Sequence, residues 1–189
     1  MTKLKIIYFG SPYYSVLLLK KIISLGHYVP LVISQGSKKT RRGKRVHTAI
    51  YEFCEKNKLR CITPDKYSDN ILEDISTIKA DLGIVYAYGK LIPQHVVDTT
   101  KFGIMNLHCS LLPAYRGAAP IQHALINNEV KTGITYFEIN ENYFLRYLHN
   151  NTPLIPVLHL SMSLGSNAHY LLNSNLYSTV DHMNIRTCT

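Results

Sequence analysis

The sequence predicts an α/β fold with a doubly wound, mostly parallel sheet, because short apolar runs alternate with segments of helical periodicity over residues 4–139. The first run is closed by a Gly-Ser-Pro turn, and the strand–helix period then repeats along the chain. A helix that connects neighbouring parallel strands produces such an alternation. We therefore expect a Rossmann-like sheet, with ligands bound outside the carboxyl ends of its strands.

The individual elements follow from apolar periodicity and turn signals. The predicted strands cover residues 4–9, 28–34, 61–62, 82–86, 102–108 and 133–139. The predicted helices have apolar faces at Val16, Leu19 and Ile23, at Val46, Ile50 and Phe53, at Ile71, Leu72, Ile75 and Ile78, and across residues 118–126. Gly26 is the predicted stop of the first helix, and Ser68 is the predicted N-cap of the third.

Composition narrows the class of protein. The chain has 189 residues, enough for one domain plus a tail, and 21 Lys and Arg against 12 Asp and Glu give a net charge of +9. This excess favours polyanionic partners such as nucleic acid. The four cysteines form no C-x-x-C pair, and no apolar run approaches the ~20 residues of a membrane span. We expect a cytoplasmic monomer with reduced thiols, no metal and no membrane partner.

Two common nucleotide-binding motifs are missing. The loop after the first strand reads Gly10-Ser11-Pro12 instead of G-x-G-x-x-G, and no G-x-x-x-x-G-K-[ST] sequence occurs. Nicotinamide dinucleotides and P-loop nucleotides are therefore disfavoured as ligands.

Asn106 and His108 are candidate catalytic residues near the end of the predicted strand 102–108. Alternate side chains of a strand share one face, so the amide and the imidazole should point the same way. Such a pair suits acyl transfer, because Asn can donate to a developing oxyanion while His relays a proton near neutral pH. The alternative is that His108 is an ordinary capping or surface residue.

Three ordered segments carry a family resemblance. Residues 106–122 (NLHCSLLPAYRGAAPIQ) resemble the signature of the formyltetrahydrofolate-dependent formyltransferases, and the GAAPIQ ending is similar to the branch that acts on methionyl-tRNA. Residues 9–12 (FGSP) resemble the first strand and turn of that branch, and residues 87–93 (AYGKLIP) resemble its pterin-side loop. The resemblance covers about residues 4–141.

The resemblance implies transfer of a formyl group from 10-formyltetrahydrofolate to the amine of methionine on initiator tRNA. It implies that Asn106 and His108 are two of three catalytic residues. The folate-binding residues that it implies are Ser110, Leu111, Leu112 and Pro113, together with Tyr88 and Gly89 in the pterin-side loop.

A basic run follows the second predicted strand, with six cations in the eight residues 38–45. Alone, it fits either a solvated, mobile loop or a nucleic-acid contact. In the family that the chain resembles, the equivalent loop is basic and enters the region of the tRNA acceptor stem, which favours phosphate contacts here. The expected RNA-binding residues are Lys38, Lys39, Arg41, Arg42, Lys44 and Arg45.

The chain departs from the family pattern after residue 142. A Leu-Asp-Thr-Gly-Asp motif, whose Asp orients the histidine, is expected after the last strand, and Asp181 is the first Asp found there. Residues 143–189 contain no lysine and six Asn. We predict a formyltransferase N-terminal domain at 1–142 and hypothesise that 143–189 is an abnormal, shifted-frame tail.

Two alternatives remain open from sequence. One is a catalytically inactive fragment with residual RNA binding, which the missing Asp motif favours. The other is a formyltransferase for another small amine or a nucleotide sugar, against which GAAPIQ and the basic run argue. We expect little or no formyltransferase activity from the chain as given.

Overall fold

The computed structural model describes residues 2–139, 158–163 and 184–187, the last two segments as backbone strands. These residues belong to two compact units. The first holds residues 2–106 and 138–139, and the second holds residues 107–137, 158–163 and 184–187.

The helices and strands alternate as predicted over most of the chain. The strands are β1 (Lys5–Gly10), β2 (Tyr28–Ile33), β3 (Lys38–Lys39), β4 (Arg45–Val46), β5 (Cys61–Ile62), β6 (Leu82–Tyr86), β7 (Ile104–His108), β8 (Lys131–Glu138), β9 (Leu158–Ser163) and β10 (Asn184–Thr187). The helices are α1 (Tyr13–Ser24), α2 (Ala49–Asn57), α3 (Asp69–Thr77), α4 (Gln94–Val97) and α5 (Pro120–Ile126).

The first unit contains a sheet in the order β7-β6-β1-β2-β5. β1 is parallel to both neighbours, with Ile7 opposite Leu31 of β2 and Gly83 of β6. β2 is parallel to β5, where Val32 lies opposite Cys61. The connections between these parallel strands carry helices, which confirms the predicted α/β, Rossmann-like fold class.

Alternating side chains of β1 belong to two separate cores. Ile6 and Tyr8 pack with buried residues of α1 and α2, whereas Ile7 and Phe9 pack with buried residues of α3 and α4. Because successive side chains of a strand point to opposite faces, this division places helices on both faces of the sheet. The doubly wound arrangement thus follows from one apolar run.

The turn after β1 is closed by a hydrogen-bond network around Ser15. The Tyr8 hydroxyl donates to the Ser15 carbonyl at 2.8 Å, and the Ser15 hydroxyl donates to the Tyr86 carbonyl at 2.9 Å. A Cβ at Gly10 would lie 2.0 Å from Ser15 Oγ. Position 10 therefore has no room for a side chain while Ser15 holds the end of β6.

In the second unit, β8 pairs with β9 and β9 pairs with β10, both antiparallel. Residues 143–189 thus contribute at least these two strands. The predicted boundary at 142 lies outside the described residues, as do Asn140, Glu141, Tyr143 and Asp181. The predicted origin of residues 143–189 therefore stays a hypothesis.

Two predicted helix faces are wrong in one residue each. In α1, Ile22 is buried with Val16, whereas Ile23 is 37% exposed. Val46 is 45% exposed and belongs to β4 instead of the second helix. The helix begins after Thr48, whose hydroxyl accepts a hydrogen bond from the Tyr51 N–H.

Other differences concern element ends. The predicted strand from Phe102 begins at Ile104, and Phe102 is 56% exposed. Ser68 precedes α3 as predicted, although its side chain makes no capping hydrogen bond. The four-residue helix α4 and the pair β3–β4 were not predicted, because segments of two to four residues carry too little periodicity to read.

Candidate active site

Strand β7 carries both predicted catalytic residues. Asn106 and His108 lie two residues apart in this strand, and both are half-buried. Their spacing in an extended segment puts the two side chains on the same face of the strand, as expected from sequence. His108 therefore is not a residue of the apolar core, although its catalytic role stays a prediction.

The imidazole of His108 is held by a backbone carbonyl. Its Nε2 lies 2.8 Å from the Tyr115 carbonyl oxygen. Because a carbonyl only accepts, Nε2 carries the hydrogen in this bond, and the lone pair of the neutral ring is on Nδ1. Burial lowers the pKa of His108 below its usual 6.5, and the Tyr115 hydrogen bond opposes that shift only in part. The ring is thus neutral at pH 7, a form that can both accept and donate a proton.

Tyr115 is itself fixed at the far end of the loop. Its hydroxyl donates to the Glu129 carboxylate and accepts from Asn127 Nδ2 at 3.3 Å. Its ring is stacked with that of His123, with centroids 6.3 Å apart. These contacts hold the residue whose carbonyl orients His108.

Residues 110–114 form a loop closed by hydrogen bonds to buried groups. The Ser110 hydroxyl, fully buried, donates to the Ala114 carbonyl at 2.7 Å. Thr135 of β8 donates its hydroxyl to the Ser110 carbonyl at 2.6 Å and accepts from the Leu112 N–H at 3.1 Å. The loop therefore has a defined backbone, held by the Ser110 and Thr135 hydroxyls, and the Leu112 side chain is buried. Leu111 is half-buried and Pro113 is exposed.

The second predicted folate-binding segment, Tyr88 and Gly89, belongs to the first unit. Tyr88 is only 1% exposed as a whole residue, packs edge-on against Phe9 with ring centroids 5.8 Å apart, and pairs its hydroxyl with that of Tyr67 at 3.0 Å. The Tyr88 ring is therefore closed to a ligand, whereas Gly89 beside it is exposed. The Tyr88 carbonyl accepts hydrogen bonds from Ser11 Oγ at 3.0 Å and Gln35 Nε2 at 2.7 Å.

The basic run forms an exposed hairpin. β3 and β4 pair in antiparallel fashion, with Lys38 opposite Val46, and the turn is closed by Thr40 N–H donating to the Lys44 carbonyl at 2.8 Å. The predicted RNA-binding residues are all exposed: Lys38, Lys39, Arg41, Arg42, Lys44 and Arg45. An open cleft of about 420 Å³ at the base of the hairpin is lined by Gly36, Ser37, Lys39, Arg45, Thr63 and Asp65.

The described residues contain neither a candidate metal cluster nor a candidate membrane span. No group of three or more His, Cys, Asp or Glu side chains there could hold a metal ion. No helix there is both long and apolar enough to cross a membrane.

Sequence reasoning missed four residues that shape these loops: Ser11, Gln35, Tyr115 and Thr135. Ser11 and Gln35 lie in loops where ligands were expected, after Phe9 and after Ser34, so a signal existed. For Thr135, in the middle of a strand, the sequence gives no signal, because its role depends on the loop folded against it.

The fold places the chain in a class with known members. It superposes on phosphoribosylglycinamide formyltransferase from Bacillus halodurans with a TM-score of 0.63 at 18% identity, covering 86% of this chain and 81% of that one. Glycinamide ribonucleotide transformylase 1 from Geobacillus kaustophilus gives a TM-score of 0.62 at 20% identity, covering 90% and 89%. The chain thus has the fold of the formyltransferases.

Sequence similarity identifies the family. Residues 3–143 match the family described as Formyl transferase, so the chain belongs to that family. The resemblance seen in the sequence is thereby confirmed.

Its relatives include two bacterial methionyl-tRNA formyltransferases. That of Endomicrobium trichonymphae is 35% identical over 181 residues, covering 96% of this chain and 56% of the relative, and that of Fusobacterium nucleatum is 41% identical over 140 residues, covering 73% and 45%. The chain spans about half the length of these relatives.

Proposed function

We propose that this chain transfers a formyl group from 10-formyltetrahydrofolate to the amine of methionine esterified to initiator tRNA, as a cytoplasmic monomer. The observation that carries the proposal is the pair on β7: Asn106 and His108 share a strand face, and the neutral imidazole of His108 is oriented at 2.8 Å by the Tyr115 carbonyl. Relatives named methionyl-tRNA formyltransferase support the choice of acceptor.

The two side chains have complementary chemistry. The Asn106 amide can donate to the formyl oxygen as negative charge develops on it during attack by the amine. The neutral His108 ring can accept a proton from the attacking amine and return it to the departing folate nitrogen. A single oxyanion donor of this kind supplies ~2.7–4 kcal/mol at the transition state.

The folate-side segments offer backbone more than side chain. The loop at residues 110–114 has its hydroxyl and buried side chains committed to its own closure, and Tyr88 has its ring in the core. Gly89 has a φ of +76°, a left-handed conformation that glycine adopts without strain. We propose that the Tyr88–Gly89 segment meets the planar pterin through the exposed backbone of Gly89, which suits the donors and acceptors on the ring edge. Ser110–Pro113 is proposed separately as a folate-binding segment that uses its own backbone groups.

The hairpin supports the choice of a polyanionic acceptor. Its six exposed cations, Lys38, Lys39, Arg41, Arg42, Lys44 and Arg45, can each meet a phosphate. Such contacts position an RNA without reading its bases. We propose that they bind initiator methionyl-tRNA.

A second function, binding without turnover, is favoured by one observation. The Leu-Asp-Thr-Gly-Asp motif that orients the family's histidine is missing from residues 139–189. Among the described residues, the Tyr115 carbonyl holds the His108 ring, and a carbonyl stabilises a protonated imidazole less than a carboxylate does. The rate is therefore expected to be low even if both substrates bind.

The deciding experiment measures formyl-methionyl-tRNA formed by purified chain from 10-formyltetrahydrofolate and methionyl initiator tRNA, with binding of each substrate measured separately. Loss of turnover in Asn106→Ala, with turnover kept in Lys21→Ala, supports the proposed formyl transfer. Lys21 is an exposed residue on α1. Binding of both substrates without turnover supports the second function. Failure to bind either substrate contradicts both.

A further inference from the structure

We infer that Gln35 is a positioning residue whose side-chain amide sets the backbone of Tyr88–Gly89 in the folate-side loop. The functional effect of Gln35 rests on the proposed function, because the loop can change activity only if it contacts the folate. The hydrogen bonds from which it is drawn are independent of that function.

The first observation is how completely the Tyr88 carbonyl is engaged. It accepts from Gln35 Nε2 at 2.7 Å and from Ser11 Oγ at 3.0 Å, which uses both of its lone pairs. Ser11 in turn accepts from the Gln35 N–H at 3.3 Å. The three residues form a closed triangle of hydrogen bonds, which fixes the orientation of the Tyr88 carbonyl.

The second observation is the space beside Gly89. A Cβ at this position would lie 2.4 Å from Gln35 Nε2, well inside van der Waals contact. The Gln35 amide therefore occupies the place that a side chain at 89 would need. With its φ of +76°, Gly89 is fixed both by conformation and by the amide packed against it.

Anchors on either side leave the peptide between Tyr88 and Gly89 as the adjustable part of the loop. On the near side, the Tyr88 ring is locked by Phe9 and by the Tyr67 hydroxyl. On the far side, Lys90 Nζ donates to the Pro64 carbonyl at 2.7 Å. Rotation of the intervening peptide would break the Gln35 hydrogen bond, so that bond selects its orientation.

Gln35 also joins two parts of the proposed site. It lies two positions after the end of β2 and three positions before Lys38, where the basic hairpin begins. Its side chain reaches the folate-side loop while its backbone leads into the hairpin. It touches backbone in this loop, so its effect on chemistry must act through the loop's geometry.

The test uses Gln35→Ala and Gln35→Glu, the second of which keeps the size but lacks the N–H donor. The probe is 5-formyltetrahydrofolate, with its Kd measured by calorimetry. Amide hydrogen exchange over residues 86–91 reports the loop itself. Gln94→Ala, which removes the same amide from α4, is the control.

Both Gln35 variants should weaken folate binding about five- to tenfold, the size of effect that one uncharged hydrogen bond supplies. They should speed exchange over residues 86–91 and leave tRNA affinity within about twofold. Gly89→Ala should weaken folate binding more than either Gln35 variant does. In Gln35→Ala/Gly89→Ala, the loss of folate affinity should be smaller than the product of the two single losses, because the alanine methyl no longer collides with the Gln35 amide.

Unchanged exchange over 86–91 in both Gln35 variants, or multiplicative effects in the double variant, would overturn the inference. If the unaltered chain fails to bind the folate, the proposed function fails instead, and the exchange measurement still decides whether Gln35 holds the loop.

Discussion

His108 and Tyr115 are joined by a hydrogen bond of 2.8 Å from the imidazole Nε2 to the backbone carbonyl. The two residues are seven positions apart, so the loop that starts at His108 folds back until its other end contacts the His108 imidazole. The orientation of His108 thus depends on how well residues 109–115 keep their shape.

We predict that His108 makes stability depend on pH. Burial lowers its pKa in the folded chain below the 6.5 of an unfolded histidine. The unfolded chain therefore binds the proton more strongly, so this histidine destabilises the fold progressively as pH falls from 6.5 towards the lowered pKa. Urea unfolding between pH 5 and 8 should show a flatter pH dependence for His108→Gln.

His95→Gln, which removes an exposed histidine from α4, is the matched control for that series. The NMR titration of His108 should also give a midpoint below 6.5. A midpoint at or above 6.5 would contradict the prediction.

We predict that Thr135→Val destabilises the chain by ~2–4 kcal/mol. The variant keeps the shape but leaves the Ser110 carbonyl and the Leu112 N–H without their partner, and both are buried beside it. Unpaired buried backbone groups cost about 1–3 kcal/mol each. Thr135→Ser, which keeps the hydroxyl, should unfold within ~1 kcal/mol of the parent in the same urea titration, and equal loss in both variants would refute the role of the hydroxyl.

We predict that Arg41→Ala/Arg42→Ala/Lys44→Ala lowers tRNA affinity and reduces its salt dependence. Each lost phosphate contact should reduce the slope of log K against log salt by about 0.7–0.9. The control, Lys3→Ala/Lys21→Ala/Lys56→Ala, removes three exposed cations outside the hairpin and its cleft and so loses the same net charge. If filter binding gives equal slopes for both triple variants, the hairpin has no special role.

We predict that Asn106→Ala lowers kcat about 10²–10³-fold with little change in KM, because an oxyanion donor acts mainly in the transition state. Initial rates with saturating substrates measure this effect. A rise in KM with kcat unchanged would instead make Asn106 a ground-state binding residue.

The sequence predicted the fold well where burial alone decides the outcome. The run Ile6–Phe9 is apolar throughout, as expected for a strand that is covered on both faces, and the structure divides it between two cores. The face of α1 was misplaced by one position, because Ile22 and Ile23 are equally apolar and only the packing distinguishes them.

The placement of Asn106 and His108 on one strand was predictable, but the contacts of the candidate site were not. Spacing along an extended segment sufficed to put Asn106 and His108 on one face. The Tyr115 carbonyl that holds His108 and the Thr135 hydroxyl that holds the Ser110 carbonyl come into place only when the loop closes. A backbone carbonyl is present at every position, so no sequence pattern marks the one that will hold a histidine.

Gly10 shows how little latitude the first turn leaves to mutation. Even the single methyl group of alanine would lie 2.0 Å from Ser15 Oγ, and displacing that hydroxyl releases the Tyr86 carbonyl at the end of β6. A library with all amino acids at positions 10 and 15, sorted for folded chain, should return glycine almost alone at position 10 wherever Ser15 is kept. Survivors with alanine at position 10 should carry a change at Ser15, so the two positions would be inherited as a pair.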